Sequence, residues 1–369
     1  MVNESKRQSL FVVCPWHPSG QLAGAERSVT MLVNGLINEY DITLVAISTG
    51  CFEKPERIDE RVDFQLVTVQ KRAKESRSKL ASLLRQKKPR VVISNVPHIS
   101  TLTQVAIWQA YSQVRHIVVN RGTDINNWKE KLHMYFTYFF CDAYVTVSNG
   151  IKESMKNRLY LSDKKITTIY NGFDITYLQA KANEHIKSGE LIWDTKRQSI
   201  IGVGRFEEQK SFAVLLKAAA EVIHIHKKPV NVLLVGEGSL GSELEALSIE
   251  LNIREYVYFL GWQENPHKYI KIADVCVLSS YFEGFGNVIV EALAVGTPVV
   301  STDCPSGPRE ILVDGKYGSL VPVDNSVVMA EMIVSQLNSP DAKDFLQERA
   351  NEFSNEKTRE KFREIILND

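Results

Sequence analysis

Two carboxylates, Glu283 and Glu291, occur eight residues apart in the segment YFEGFGNVIVEALAVGTPVV (residues 281–300). Between Val288 and Val295 every residue except Glu291 is apolar, so a helix formed there is hydrophobic on all faces and is normally buried. Burying a carboxylate is unfavourable unless hydrogen-bond donors or a cation surround it. The pattern therefore predicts that Glu291 faces the donor groups of a ligand, and a ribose diol offers two of them.

A Gly-Phe-Gly turn separates Glu283 from the predicted helix, which begins near Asn287. The glycines allow a tight backbone turn, and the first backbone N–H groups of the helix, with the positive end of its dipole, attract an anion. Glu283, at the turn, is expected to meet a more distal part of the same ligand. The alternative is an exposed helical Glu and an unrelated loop Glu.

Two cations follow another predicted strand, in the segment GVGRFEEQKSF. The strand ends at Gly204, and Arg205 and Lys210 come before the next helix. Arg supplies a planar fork and Lys a point charge, a combination that suits a diphosphate, although ordinary surface charges would give the same pattern. A third candidate is the glycine-containing loop HPSGQLAGAERS, whose backbone is predicted to close over a diphosphate from another domain.

Short β-branched runs alternate with amphipathic helical stretches, which predicts an α/β fold with parallel sheets covered on both faces. At 369 residues the chain is long enough for two domains, and a polar stretch at about 176–198 separates two series of strands. We therefore expect two doubly wound, Rossmann-like domains facing each other across a ligand-binding cleft at their strand C-termini. The predicted strands are residues 10–14, 41–47, 63–69, 90–95, 116–120, 143–148 and 166–170, then 199–204, 231–238, 257–261, 275–280 and 298–302.

The net charge of the chain is zero, but its distribution is uneven. Residues 1–185 carry 25 Lys and Arg against 17 Asp and Glu, and nine of these basic residues fall between Lys71 and Arg90. That segment is either a solvated helix and loop or a face that docks on an anionic membrane surface. Nucleic acid is not an expected partner, because no aromatic interleaving or recognised binding motif accompanies the charge.

Several classes of protein are disfavoured by what the sequence lacks. The five cysteines form no CxxC pair and no His cluster has zinc-ligand spacing, so no bound metal is expected. No apolar run approaches the roughly 20 residues that span a bilayer, and the N-terminal segment lacks the layout of a signal peptide. The cytoplasm is therefore the expected location.

Taken together, these segments resemble the family-4 retaining glycosyltransferases of the GT-B fold. The E-x7-E signature of that family matches Glu283 and Glu291, and its phosphate-binding Arg and Lys match Arg205 and Lys210. The CPSGPREIL segment and the AER loop resemble in particular bacterial transferases that build polysaccharide, O-antigen or lipid-linked glycan units. Further matching segments, which extend the resemblance from about residue 10 to 325, are GAERSVTMLVNGL, VSNGIKESM, TTIYNGFD, VLLVGEGSL, FLGW and DCPSGPREILVDGKYGSLVPV.

The resemblance implies a role for each of these residues. Glu291 would bind the nucleotide ribose, Glu283 would contact the hydroxyls of the donor sugar, and Arg205 and Lys210 would neutralise the leaving diphosphate. No metal or other cofactor is implied, because cationic side chains and a helix N-terminus replace it. The other donor-binding residues that the resemblance implies are Gly204, Phe285, Gly286, Asn287 and Val288, Gly24 in the first domain, and Trp262 and Gln263 near the base.

One departure from the family concerns the fifth strand of the first domain. Many members place a His after that strand, close to the donor sugar, whereas this sequence reads HIVVNRGTD, with Arg121 in that region. Arg121 either stabilises a phosphate or binds the acceptor, or it is purely structural. His98 and His17, each after another predicted strand, are further acceptor-side candidates.

The expected domains are an acceptor-binding domain over residues 1–185, a donor-binding domain over 186–352 and a C-terminal helix over 353–369 that can cross back to the first domain. The expected reaction moves a hexose or N-acetylhexosamine, with retention, from a nucleotide-sugar to a lipid-linked or growing bacterial surface glycan at the inner membrane face. UDP is the expected nucleotide. A sugar-nucleotide epimerase of the same architecture and a non-catalytic nucleotide-sugar-binding subunit are the alternatives.

Overall fold

Two parallel β-sheets organise the chain, whose computed structural model describes residues 7–19, 24–69, 73–122, 128–186, 189 and 191–367. Each sheet belongs to its own unit. Met1–Phe173 and Asn355–Asp369 form the first unit, and Asp174–Ser354 form the second. Both units have the alternating strand and helix order of Rossmann-like domains, which confirms the predicted α/β class.

The first sheet has seven strands, paired in parallel in the order β3-β2-β1-β4-β5-β6-β7. The strands are β1 (Gln8–Pro15), β2 (Tyr40–Ser48), β3 (Asp63–Thr68), β4 (Val91–Asn95), β5 (Arg115–Asn120), β6 (Ala143–Thr146) and β7 (Ile166–Thr168). The helices between them are α1 (Gly24–Leu36), α2 (Ala73–Lys87), α3 (Pro97–Ala110), α4 (Trp128–Phe140) and α5 (Asn149–Leu159).

The second sheet has six strands, in the order β10-β9-β8-β11-β12-β13, and is also parallel. The strands are β8 (Ser199–Val203), β9 (Asn231–Val235), β10 (Val257–Gly261), β11 (Val275–Leu278), β12 (Val299–Thr302) and β13 (Ser319–Val321). The helices are α6 (Ile175–Ala182), α7 (Phe212–His224), α8 (Gly241–Glu250), α9 (His267–Ile272), α10 (Asn287–Val295), α11 (Pro308–Ile311), α12 (Ser326–Asn338) and α13 (Lys343–Asn351).

Both faces of each sheet are covered by other parts of the chain. All five residues of β4 and all five of β9 are buried, although successive side chains of a strand point to opposite faces. In the second unit, Val232 and Leu234 of β9 belong to the same core as Leu215 of α7 and Ile333 of α12. The β-branched runs in the sequence are therefore central strands of a doubly wound fold.

The last helix, α14 (Asn355–Leu367), belongs to the first unit and packs against α1. Arg363 at its C-terminal end donates to Glu39 Oε2 at 2.7 Å. Its N-terminal end lies against Gly172, where an added Cβ would come within 2.7 Å of Asn355 Oδ1 and 2.8 Å of Thr358 Oγ1. The C-terminal segment is thus held at both of its ends.

The twelve predicted strands are present in the two sheets, with ends that differ by a few residues. The pattern does not predict β13, because its three residues lie between Gly318 and Pro322 and are too few to show a period. Of the basic segment, Lys71 and Arg72 lie outside the described residues, and α2 covers most of the rest. No helix in the described ranges combines the length and the apolar character that a membrane span requires.

Candidate functional site

The predicted donor residues lie at the point in the second sheet where the strand order reverses. Strand β8 is paired with β9 on one side and with β11 on the other. The loop after β8 carries Arg205 and Lys210, and the loop after β11 carries Glu283. Ligands of open α/β sheets bind outside the carboxyl ends of the strands at such a switch point.

An ion pair between Lys210 and Glu283 connects these two loops. Lys210 Nζ lies 2.6 Å from Glu283 Oε1, and the hydroxyl of Ser280 donates to the same oxygen at 2.6 Å. Glu283 is buried, whereas the Lys210 side chain is partly exposed. The structure therefore brings together two residues that are predicted to contact the donor and are 73 positions apart in the sequence.

Backbone and side-chain hydrogen bonds hold the same two loops in register. Tyr281 N donates to Gln209 O at 2.9 Å, and Gln209 Nε2 donates to Phe282 O at 2.9 Å. The Ser279 hydroxyl donates to Lys210 O, also at 2.9 Å. These hydrogen bonds fix the two loops that carry Lys210 and Glu283. The distance between the two side chains therefore depends on the backbone as well as on their charges.

The loop after β8 lies against the loop after β9, and this contact requires glycine. A Cβ at Gly236 would lie 1.8 Å from Gly204 O, so only glycine fits there. Phe206 N donates to Glu237 O at 2.9 Å, which joins the two loops further along. The stem of Lys210 runs past Gly204, whose added Cβ would be 3.5 Å from it. Arg205, beside Gly204, is exposed.

The Gly-Phe-Gly turn directs the start of α10. Gly286 has a φ of 97° and is the N-cap residue, so no side chain covers this end of the helix from the cap position. Phe285 is buried with its ring centroid 5.6 Å from that of Phe353, and its carbonyl lies 1.8 Å from where a Cβ of Gly307 would be. The turn is therefore fixed by packing, which leaves the N-terminal backbone of α10, including Asn287 and Val288, at the carboxyl end of β11.

Glu291 is buried one turn into α10, as its apolar neighbours predict. Its Oε2 lies 3.9 Å from Nδ1 of His267, the first residue of α9, which is also buried. His267 is not among the site residues predicted from the sequence, although the Asn-Pro-His segment after a predicted strand is a signal for a helix start. The carboxylate thus lies beside an imidazole nitrogen of α9.

The carboxylates of Glu291 and Glu283 each contribute to the raised pKa of a nearby buried thiol. Burial raises the pKa of Cys276 to about 12, and the neighbouring Glu291 adds to the shift. Burial likewise raises the pKa of Cys304 to about 12, where Glu283 adds to the shift and Lys210 opposes it. Both thiols therefore remain protonated at neutral pH and act as small apolar groups.

Trp262 and Gln263 follow β10, as the sequence predicts. Gln263 Nε2 donates to Leu260 O at 2.7 Å, so its amide nitrogen is engaged within its own turn. The backbone N–H of Trp262 donates to Glu237 Oε1 at 3.2 Å, while the Trp262 ring is exposed. A stacking contact from Trp262 is therefore more readily available to a ligand than a hydrogen bond from Gln263.

In the first unit, Arg121 lies across the carboxyl ends of the strands. Its Nε donates to Asn95 Oδ1 at 3.0 Å, and a second guanidinium nitrogen donates to Asn171 Oδ1. Asn95 is the last residue of β4 and Asn171 follows β7, and Asn95 is itself anchored by donating to Val13 O at 3.2 Å. Burial lowers the pKa of Arg121 to about 10, so the guanidinium is still charged at neutral pH.

The two histidines predicted for the acceptor side follow β4, which is paired with β5, and β1, which is paired with β4. His98, near the start of α3 after β4, has its Nδ1 3.7 Å from Glu130 Oε1, and partial burial lowers its pKa while Glu130 opposes the shift. His17 follows β1 and is exposed, with Nδ1 2.7 Å from Ser19 Oγ. Because β1, β4 and β5 are neighbours, His17, His98 and Arg121 follow three adjacent strands.

Gly24 is the first residue of α1, and its carbonyl accepts a hydrogen bond from Ser28 Oγ at 2.9 Å. The loop residues 20–23 before it and residues 123–127 after Arg121 lie outside the described ranges. Across the residues that are described, no group of three or more His, Cys, Asp or Glu side chains is arranged to hold a metal ion.

Two family models match this chain and together cover most of it. The model "Glycosyl transferases group 1" matches residues 183–358, which contain the Lys210–Glu283 pair. The model "Glycosyltransferase Family 4" matches residues 22–177, which contain Arg121.

Curated relatives carry transferase names. The chain is 34% identical over 220 residues to a Campylobacter jejuni N-acetylgalactosamine-N,N'-diacetylbacillosaminyl-diphospho-undecaprenol 4-alpha-N-acetylgalactosaminyltransferase, covering 60% of this chain and 57% of the relative. It is 30% identical over 188 residues to a Salmonella typhimurium lipopolysaccharide 1,6-galactosyltransferase, covering 49% of this chain and 48% of the relative. The matched part of the chain therefore spans about half of the length of these relatives.

Solved structures share the whole fold at low sequence identity. A lipopolysaccharide outer core galactosyltransferase aligns with a TM-score of 0.74 at 20% identity, covering 97% of this chain and 99% of that one. The Anabaena protein HepE in complex with UDP-glucose aligns with a TM-score of 0.80 at 17% identity and the same coverage. At these identities the likeness establishes the architecture alone.

Proposed function

We propose that this chain, which belongs to the GT-B glycosyltransferases described by the group 1 and family 4 models, moves a sugar from a nucleotide diphosphate donor to a glycan hydroxyl. The donor sugar is a hexose or N-acetylhexosamine, its nucleotide is UDP, and the anomeric configuration is retained. The acceptor is a lipid-linked or growing bacterial surface glycan.

The Lys210–Glu283 pair at the strand switch point is the observation that carries this proposal. It places a cation and a buried carboxylate 2.6 Å apart where an open α/β sheet binds its ligand. A nucleotide-sugar offers a partner to each, because its diphosphate complements Lys210 and its sugar hydroxyls complement Glu283. The pair can then separate while Lys210 keeps an anionic partner and the Glu283 carboxylate keeps hydrogen-bond donors.

The remaining residues bind different parts of the donor. Arg205, Lys210 and the N-terminus of α10 neutralise the diphosphate, with backbone N–H groups near Gly286 adding to the positive field. Glu291 accepts hydrogen bonds from the ribose hydroxyls, and Trp262 stacks on the base. In this proposal these groups, and no bound metal, compensate the charge of the leaving group.

The reaction breaks the bond between sugar C1 and the phosphate oxygen, and both electrons of that bond leave with the diphosphate. C1 becomes an oxocarbenium-like centre, and the acceptor hydroxyl forms a new C1–O bond on the face that the phosphate vacates. The hydroxyl proton passes to the departing phosphate, so no side chain has to act as a general base. Lys210 and Arg205 contribute most in the transition state, because negative charge grows on the leaving oxygen there.

The acceptor class comes from the names of the relatives. One is named for a diphospho-undecaprenol-linked acceptor and the other for lipopolysaccharide. We extend this class to the present chain, and we place the reaction at the inner face of the membrane. Arg121, His98 and His17, which follow three adjacent strands of the first unit, are the proposed acceptor-side residues.

Nucleotide release from a panel of UDP-, GDP- and dTDP-sugars, measured with and without a lipid-linked acceptor, tests this proposal. We expect release with a UDP-sugar that depends on the acceptor and persists in a metal chelator. Lys210→Ala and Glu283→Ala should each lower the rate on the order of 100-fold or more, the effect of removing a transition-state contact. Glu291→Gln should weaken donor binding instead.

The matched control is Glu245→Ala, since Glu245 is an exposed carboxylate of the second unit that pairs with Arg254 at 2.9 Å. Full activity of either the Lys210 or the Glu283 variant would remove the site assignment. Conversion of the donor to its epimer, with no glycoside formed, would replace the transferase by an epimerase. Donor binding without hydrolysis or transfer would indicate a binding subunit.

A further inference from the structure

Helix α4 carries an apolar stripe on its solvent side. Trp128, Leu132, Phe136 and Phe139 recur at intervals of three to four residues and therefore share one face of the helix. The side chains of Trp128, Leu132 and Phe139 are 68%, 61% and 65% exposed, and the adjacent Phe140 is 51% exposed. A surface helix of a globular protein normally turns its apolar face inward, so this arrangement needs an explanation.

The stripe is not a consequence of a misplaced or loosely packed helix, because α4 has a second, inward face that packs normally. Met134, Thr137 and Tyr138 are buried, and the hydroxyl of Tyr138 donates to Ser162 O at 2.8 Å. Helix α4 is thus anchored to the first unit by one side while it presents aromatic and aliphatic groups on the other.

The neighbouring helix α3 extends this surface. The ring of Trp108, 46% exposed, packs edge-on against Phe136 at 5.6 Å and against Phe140 at 5.0 Å. Phe136 and Phe140 lie 4.9 Å apart, so the three rings form one cluster. Clustered exposed apolar side chains of this kind mark a surface for interaction with a partner or a membrane.

Cations border the apolar cluster on the adjacent helix. Helix α2 packs on α3, which packs on α4, so the three helices lie side by side. Arg85 of α2 donates to Gln109 O, next to Trp108, which joins the basic helix to the aromatic cluster. The exposed basic residues on and just after α2 are Lys74, Lys79, Arg85, Lys87, Lys88 and Arg90, and the exposed acidic residue of the helix is Glu75.

We propose that the exposed faces of α3 and α4, with the basic residues of α2, form a surface that docks on a lipid bilayer containing anionic headgroups. Trp128, Leu132 and Phe139 insert into the boundary between headgroups and acyl chains, while the cations of α2 contact the phosphates. A second copy of the chain would place like charges opposite each other, whereas an anionic bilayer complements them.

This inference goes beyond the basic segment alone, because insertion of the α4 stripe contributes binding that does not depend on lipid charge. Its choice of a bilayer also rests on the proposed function, since a lipid-linked acceptor is presented at such a surface. The stripe begins at Trp128, two residues before Glu130, whose carboxylate lies 3.7 Å from His98. The acceptor-side residues of the first unit would therefore lie close to the bilayer.

Co-sedimentation of the full chain with vesicles tests the proposal. The vesicles contain phosphatidylcholine alone or phosphatidylcholine mixed with phosphatidylglycerol, and binding is expected to be stronger to the mixed vesicles. Leu132→Ser with Phe139→Ser should weaken binding to both compositions by about tenfold or more, because apolar burial is lost. Lys79→Gln with Lys88→Gln should reduce only the preference for phosphatidylglycerol.

The matched control is Ile225→Ser with Ile249→Ser, which removes two apolar side chains of the second unit that are 68% and 60% exposed and should leave vesicle binding unchanged. The proposal is overturned if the wild-type chain does not bind either vesicle, or if the Leu132 and Phe139 variant binds as the wild type does. A wild-type dimer that becomes monomeric in this variant, measured by light scattering without lipid, would also overturn it.

Donor release in detergent separates this inference from the proposed function. The Leu132 and Phe139 variant should keep donor release in detergent, because its changes lie outside the second unit. If the chain binds vesicles but releases no nucleotide from any donor, the docking surface is supported and the proposed transferase function is contradicted.

Discussion

The two units compensate the charged groups near their strand ends in different ways. In the second unit Lys210 faces Glu283, a charge of opposite sign contributed by the adjacent loop. In the first unit the guanidinium of Arg121 donates to two neutral amides, those of Asn95 and Asn171. Buried His116, which is neutral, also has neutral partners: its two ring nitrogens lie 2.7 Å from Ser94 Oγ and 2.6 Å from the Gln104 amide.

This difference determines how a ligand can act on each unit. An ion pair is exchangeable, because an anionic ligand can replace Glu283 as the partner of Lys210 while the charge stays compensated. Neutral amides orient a basic group without cancelling its charge, so the field of Arg121 remains available to an anion. We therefore assign charge exchange to the second unit and fixed positive potential to the first.

The largest expected effect comes from breaking the pair in the second unit. Lys210→Met removes the cation that faces buried Glu283, and we expect the free energy of unfolding to fall by about 3 kcal/mol. Urea unfolding measures this quantity. The matched control is Lys181→Met, whose partner Glu184 is exposed, and it should cost about 0.5 kcal/mol or less. Equal losses in the two variants would mean that the Lys210–Glu283 pair behaves as a surface pair.

A smaller effect, dependent on pH, is expected from His116 in the first unit. Burial lowers the pKa of His116 to about 3, below the value of the unfolded chain, so the native state keeps the ring neutral. The unfolded state binds more protons in this window, and stability is lost as the pH falls from about 6.5 towards 3, by about 1.4 kcal/mol per pH unit.

Urea unfolding at pH 7 and pH 5 checks this prediction. The loss between the two values should be about 2 kcal/mol for the wild type and should shrink in His116→Gln, which has no ring to protonate. His226→Gln, at an exposed position of the second unit, should retain the full dependence. The assignment fails if His116→Gln loses as much stability as the wild type does over the same range.

The parts of the fold that the sequence predicts are those that depend on local pattern. Strands β4 and β9 contain the short apolar runs VVI and VLLV, and Glu291 is recognisable because the other residues between Val288 and Val295 are all apolar. The Lys210–Glu283 pair joins residues 73 positions apart, so it depends on the strand order, which no local pattern contains. The position of His267 beside Glu291 is not predicted for the same reason, because it results from the packing of α9 on α10.

The apolar stripe of α4 shows a different limit. Its sequence, WKEKLHMYFTYFF, has apolar residues on several faces, so the helical period alone does not say which face is turned to the core. The buried side is fixed by tertiary packing: α4 packs on α3, Tyr138 contacts Tyr144 of β6, and Met134 and Tyr138 are buried. A basic segment such as that of α2 is visible in composition, whereas an exposed aromatic surface is visible only after the buried side is known.

The smallest expected effect distinguishes the two roles that Arg121 can have. If its fixed charge serves the acceptor, Arg121→Gln should raise the KM for a lipid-linked acceptor by about threefold to tenfold, which corresponds to about 1 kcal/mol. The donor affinity should change by less than about twofold, because the proposed donor contacts are made chiefly by the second unit. Acceptor titrations at saturating donor, together with donor binding by calorimetry, measure the two quantities.

Arg121→Lys is the informative companion variant, because it keeps the charge but cannot reproduce the planar fork that reaches both Asn95 and Asn171. If the positive charge itself contributes to acceptor binding, the acceptor KM of Arg121→Lys should be closer to the wild-type value than that of Arg121→Gln. If the hydrogen bonds between the strand ends matter instead, Lys and Gln should lower the free energy of unfolding alike and leave the acceptor KM unchanged. That second outcome would make Arg121 a structural residue and would confine the recognition of phosphate to the second unit.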